Sequence, residues 1–190
     1  MDIIWKEEKP RWNGGKVYSL KITKDNITLK GSLEEALGFS KELTGYRFTC
    51  STLIINDVVV ANTEDFEREG FKLRQEKLEY AQKEGLKLLA NKLKKRRTLY
   101  EKIINEDIIE VKEHIRTSGK YYDVIIPDGK RKINGRIQIE NGKAKFKLPW
   151  LSITKNIVPS NEENMKEQIY EIIKNVLEKR LLITADFEKE

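Results

Sequence analysis

Residues 63–105 contain no proline and read as helix throughout, and that stretch limits the fold more than any other feature. Unbroken, it would be a rod of ~60 Å at 1.5 Å rise per residue. A compact globule of this chain length is only about 40 Å across. The rod must therefore break, project to pair with a second copy, or bridge two lobes. Its regular seam is Leu86, Leu89, Leu93, Arg96, Tyr100 and Ile103, at alternating three- and four-residue spacing. That seam is short for a coiled coil and Arg96 interrupts it. The expectation is a break near Gly85 or a bridge. Thr63, or Asn62 with Asp65, caps the start.

On either side the pattern changes to strand, which predicts an α+β fold. Residues 1–62 form a hairpin-rich lobe, 63–106 the basic helix, and 107–190 an antiparallel β-meander covered by a C-terminal helix. In the first lobe Ile3 to Trp5 makes a short strand, and Pro10 ends it. Asn13-Gly14-Gly15 is a turn. Tyr18, Leu20 and Ile22 line one side of a strand that Asp25-Asn26 reverses into Ile27-Thr28-Leu29. Ser32-Leu33-Glu34-Glu35 has the form of a capping box and predicts a short helix to about Leu43. Tyr46 to Ile55 reads as one long strand, joined by Asn56-Asp57 to Val58-Val59-Val60.

In the last third, Ile109, Val111 and Ile115 share a strand face. The turns are Thr117-Ser118-Gly119, Pro127-Asp128-Gly129 and Asn141-Gly142. Trp150 to Val158 is irregular or edge strand. Ser160-Asn161-Glu162-Glu163 caps a helix with Met165, Ile169, Ile172, Ile173 and Val176 on one stripe. Leu181-Leu182-Ile183 suggests a last strand. The sequence shows no internal repeat.

Composition excludes several chemistries. The single cysteine, Cys50, rules out an internal disulfide framework and a thiolate zinc site. It sits mid-strand and reads as a buried, inert thiol. The single histidine, His114, rules out multi-histidine metal sites and reads as a surface residue. Gly14-Gly15 is a turn; the sequence has no phosphate-binding glycine loop. No apolar run is long enough for a membrane span, and the N-terminus lacks the pattern of a signal peptide. The expectation is an intracellular, cytoplasmic protein with no membrane association, no cofactor and no resident metal.

The charge is +6 and is concentrated in two places. Between residues 83 and 97, seven cations stand against Glu84 alone. Lys94, Lys95, Arg96 and Arg97 wrap every side of the helix there. The second cluster follows from register. If Asn141-Gly142 is a two-residue hairpin loop, Arg136 lies opposite Lys147, Ile137 opposite Phe146, and Gln138 opposite Lys145. Ile133, Ile137, Ile139, Ala144, Phe146 and Leu148 then form the core face. Lys132, Arg136, Lys143, Lys145 and Lys147 all point the other way, with Asn134 and Gln138. Arg136 opposite Lys147 is an unfavourable like-charge pair, unless an anionic partner neutralises it. Solvated lysines that guard an edge are the plain alternative.

Catalysis has weaker support. Glu110-Val111-Lys112, with His114 on the same strand face, matches half of a metal-dependent nuclease pattern. The other acid is missing: Asp107 is too near in sequence and Asp128 lies in a turn. No catalytic residue is assigned. Trp5, Trp12, Tyr18, Tyr121, Tyr122 and Trp150 are the aromatic candidates for base stacking, and none falls in a recognition motif. The expected function is non-enzymatic binding of nucleic acid or a nucleoprotein complex. Its predicted contacts are Lys132, Arg136, Lys143, Lys145 and Lys147, with Lys94 to Arg97 as a second site. The alternative is a mobile-element inhibitor that binds a host nuclease directly, of the anti-CRISPR type. The sequence does not set the oligomeric state.

Overall fold

A computed structural model describes the chain except for residues 11–13, 26, 107, 118, 141, 152, 159–160 and 188–190, and the side chains of Arg116, Glu140 and Glu162. The expected turn residues Asn13, Asn26, Ser118 and Asn141, together with Trp12 and Ser160, fall wholly or partly outside the described residues. Among the described residues the architecture is α+β: two five-stranded antiparallel sheets and three α-helices. Two compact units divide at Lys94/Lys95, the first also taking the last residues from Asp186.

The first unit is a meander in strand order β1-β2-β3-β4-β5. Its strands are β1 (Asp2–Glu8), β2 (Val17–Lys24), β3 (Ile27–Leu37), β4 (Leu43–Cys50) and β5 (Ile55–Asn62). Tyr18, Leu20 and Ile22 point into the core with Leu29, Leu33, Tyr46 and Phe48. Two expectations fail here. The capping box at Ser32 opens no helix, because Ile27, Leu29, Gly31, Leu33 and Glu35 continue one period-2 face. Glu35 occupies a core position and so hides the alternation. The long strand to Ile55 also stops early, at Cys50. A 3-10 turn, Ser51–Leu53, intervenes with Leu53 buried and Ile54 in the left-handed region. Asn56-Asp57 then lies inside β5 as an irregularity.

The helical stretch breaks, but not at Gly85. Helix α1 (Thr63–Arg68) is capped by the Asn62–Asp65 box, and Gly70 at φ 70° follows it. Helix α2 (Arg74–Asn105) then runs without interruption, about 48 Å at 1.5 Å per residue. It gives residues 74–94 to the first unit and 95–105 to the second. Gly85 serves a close approach: a Cβ there would lie 3.0 Å from the Phe48 ring. Of the seam, Leu89, Leu93, Tyr100 and Ile103 are fully buried and Leu86 and Arg96 half-buried; Ala81, before it, is buried too.

The second unit is a meander of β6 (Glu110–Arg116), β7 (Gly119–Asp128), β8 (Arg131–Glu140), β9 (Lys143–Leu148) and β10 (Ile153–Ile157). The predicted β8–β9 register holds at every pair: Arg136 with Lys147, Ile137 with Phe146, Gln138 with Lys145, Ile139 with Ala144. Ile109 is buried and Val111 half-buried, but Ile115 is exposed, being near the end of an edge strand. Helix α3 (Glu162–Phe187) carries Met165, Ile169, Ile173 and Leu177 into the apolar core. Its cap is Asn161, whose Oδ1 accepts the N–H of Asn164 at 3.0 Å, one residue later than the motif at Ser160 suggested. Leu181-Leu182-Ile183 is its last turns and not a strand. Arg180 takes a core position there, with its Nη2 donating to the Leu151 carbonyl.

Candidate nucleic-acid interface

Alternation along each strand sends every second side chain of the C-terminal sheet outward, and register sorts them into rows. One row reads Lys112, Asp123, Arg136, Lys147, Thr154; the next reads His114, Tyr121, Gln138, Lys145, Asn156. Lys132, Arg136, Lys143, Lys145 and Lys147 are all exposed. Among the described residues none of the four lysines pairs with a carboxylate. Lys147 Nζ reaches only Gln138 Oε1, at 3.5 Å. At about 6.8 Å between alternate residues, β9 carries a file of three ammonium groups.

Arg136 is different. Its Nε donates to Asp123 Oδ1 at 3.0 Å, and its guanidinium lies 4.7 Å from the centre of the Tyr121 ring. The other Asp123 oxygen lies 3.1 Å from His114 Nε2. The His114 ring stacks on Tyr121 at 4.8 Å and 7°. Because β6 and β8 flank β7, imidazole and guanidinium cover opposite faces of the tyrosine. Asp123 thus relieves the Arg136–Lys147 repulsion from within the sheet. Sequence reasoning missed Asp123. Carrying the β8 register one strand further, across Pro127-Asp128-Gly129, would have found it.

The helical cluster is less uniform than its charge suggests. Lys94, Lys95 and Arg97 are exposed, and Arg97 Nε donates to Glu101 at 2.8 Å. Arg96 is half-buried with its guanidinium 4.3 Å from the Trp150 ring. Trp150 comes three residues after Lys147, so this stack brings the start of the second unit's helical segment to the end of the lysine strand. Among the aromatics, Tyr18 and Tyr122 are buried, Trp5 meets Phe48 edge-on, and Tyr121 and Trp150 carry cations. None of these candidates is an open platform for base stacking; the fully exposed aromatic ring is Phe39, in the first unit and not on the lysine strands.

Glu110 and Lys112 do share the outward face with His114, and they pair with each other at 3.4 Å. Asp123 stands across from Lys112 on the neighbouring strand, where a nuclease pattern would want an acid. Its oxygens are taken up by His114 and Arg136. Among the described residues no group of three or more His, Cys, Asp or Glu is placed to hold a metal ion. None of the described helices is long and apolar enough to cross a membrane.

The first unit holds a polar cluster that sequence reasoning also missed. The Glu35 side chain is fully buried. It accepts from the Lys16 backbone N–H at 3.0 Å and from Arg74 Nε and Nη2 at 2.9 and 2.6 Å. Burial, with Glu35's charge added, raises the Tyr18 phenol to about 12 and pushes Tyr46 up as well. The hydrogen bonds it donates to Glu35, helped by that carboxylate's charge, raise Arg74 as well. Both carboxylate oxygens are used, so the cluster ties the end of β3 to the start of α2.

The chain matches no family model, and no curated protein or solved structure shows significant similarity to it.

Proposed function

We propose that the chain is a non-enzymatic binding protein whose second unit engages nucleic acid, alone or within a nucleoprotein complex, through the outward face of β8 and β9. The observation that carries this reading is the set of exposed lysines, Lys132, Lys143, Lys145 and Lys147, gathered around Arg136 without carboxylate partners among the described residues. Five cations on one pleated surface suit the phosphate backbone, which supplies affinity without sequence information. The covered faces of Tyr121 favour backbone contact over base reading.

Binding of a labelled duplex should weaken with salt with a log–log slope of about −4 to −5 if five phosphates are neutralised. Changing Lys132, Lys145 and Lys147 together to Glu should abolish binding and leave the melting temperature unchanged. Wild-type affinity in that variant would end the proposal.

One feature favours a second reading, direct binding to a protein such as a host nuclease, as an anti-CRISPR-type inhibitor does. Arg136, Tyr121 and His114 form a pre-ordered stack of arginine and aromatic groups, the types that anchor protein interfaces. A target that co-elutes with the chain at moderate salt, together with poor binding of free nucleic acid, would decide for it.

A further inference from the structure

We infer that the two units are two copies of one structural module, a five-strand meander followed by a helix, and that the anion-binding face is a feature of the module's third and fourth strands that only the second copy has charged.

The correspondence runs residue by residue. In β2 and β3, Tyr18 faces Leu33, Leu20 faces Gly31, and Ile22 faces Leu29. In β7 and β8, Tyr122 faces Ile137, Val124 faces Gly135, and Ile126 faces Ile133. One constant offset in residue number joins all six positions and the two-residue connection between the strands. The first residue of that connection is left-handed in both: Asp25 at φ 45° and Gly129 at φ 59°. On the next strand Leu33 faces Phe48 as Ile137 faces Phe146. Each glycine lies under that phenylalanine: a Cβ on Gly31 would come 3.0 Å from the Phe48 ring, and one on Gly135 3.2 Å from the Phe146 ring. Two residues past each phenylalanine the strand ends in a 3-10 turn with a buried leucine, Leu53 or Leu151. The fifth strand opens on Ile55 or Ile153 in turn. Even on the first strand, Glu7 opposite Tyr18 matches Glu113 opposite Tyr122.

Apart from Arg47 and Lys145, the outward positions of the third and fourth strands show no such agreement, which is why no repeat is visible in the sequence. Ser32 opposite Thr49 stands where Arg136 opposite Lys147 does, and Thr28 stands where Lys132 does. Over these strands the first copy has Lys30 and Arg47 offset by Glu34, and Arg47 is tied to Asp57 at 2.7 Å. At the places of Lys132, Arg136 and Lys147 the same fold is built with neutral side chains, while Arg47 holds the place of Lys145, so those three cations of the second copy answer to something outside the fold. Gly45, the counterpart of Lys143, cannot take a side chain: a Cβ there would lie 2.5 Å from the Ala61 carbonyl.

The module claim stands apart from the binding proposal; the claim about its charged face rests on that proposal, and two experiments separate them. In the full chain, residues 28–33 are replaced by the sequence of 132–137. As a control they are replaced by that of 131–136, which sends every side chain to the wrong face. The in-frame graft should keep one cooperative thermal transition and the frame-shifted graft should lose it. If the in-frame graft also loses it, the two-copy inference is wrong. Separately, Thr28→Lys, Ser32→Arg and Thr49→Lys together should steepen the salt slope of duplex binding by about 2 to 3. A folded variant with unchanged slope would overturn the shared anion face and leave the module standing.

Discussion

Leu33 opposite Phe48 and Ile137 opposite Phe146 make the same contact in two sheets, beside glycines that admit the same ring. One step outward the sheets part: serine and threonine in one, arginine and lysine in the other. A second divergence lies inside. Glu35 opposite Tyr46 occupies the place of Ile139 opposite Ala144. The meander therefore needs its tyrosine, glycine and phenylalanine, and it needs neither the buried carboxylate nor the surface cations. Those two departures are where each unit has been given something beyond folding: an internal tie to Arg74 in the first, an external charge in the second.

The largest expected effect tests the internal tie. Arg74→Ala leaves the Glu35 carboxylate buried without its cation. Losing one partner of a fully buried pair costs about 3–5 kcal/mol. Arg74 is half exposed and screened by water, so about 2 kcal/mol is expected in denaturant unfolding. Glu35→Ile, which copies the second unit, should cost less than Arg74→Ala, because an exposed arginine without a partner is solvated. The reverse order would mean that Glu35 matters for more than its pairing, and the two inner faces would not be interchangeable.

Alkaline pH probes the same divergence more gently. The Tyr18 phenol is raised to about 12 by burial and by Glu35, against 10 in the unfolded chain. Below pH 10 both states keep the proton. Above it the unfolded state loses the proton first, so stability falls as pH rises from about 10 to about 12. The loss over that window should be smaller in Tyr18→Phe, and intermediate in Glu35→Ile, where burial remains but the charge is gone. Equal losses in all three would show that Tyr18 does not feel the carboxylate.

The same divergences explain what the sequence made legible. The β8–β9 register could be derived to the residue because every inward position there is apolar and every outward one polar. The second half of β3 was misread because Glu35 sits on the inward face and, with Ser32, imitates a helix cap. The end of α3 was misread because Arg180 breaks its apolar stripe. Gly85 looked like a break because a glycine made for contact with Phe48 cannot be told from a breaker by sequence. In each case a residue was chosen for a neighbour distant in sequence, which local pattern cannot see. Of the site, the cations of β8 and β9 were legible. Asp123, which pins Arg136 to His114, was not, because it depends on the pairing of three strands.

The smallest effect on stability is the most informative about the outer face. Lys132→Thr, Arg136→Ser and Lys147→Thr together give the second unit the surface of the first. Exposed substitutions of this kind fall within about 0.5 kcal/mol each. Removing Arg136 takes away its hydrogen bond to Asp123, but it also ends the repulsion with Lys147, so the two changes oppose each other. The melting temperature should hardly move, while the salt slope of duplex binding should shrink by about 2 to 3. A variant that melts early would show that the cations belong to the fold after all, through the Asp123 network. The contrast between a required interior and an elective exterior would then fail at the surface where it predicts the least change.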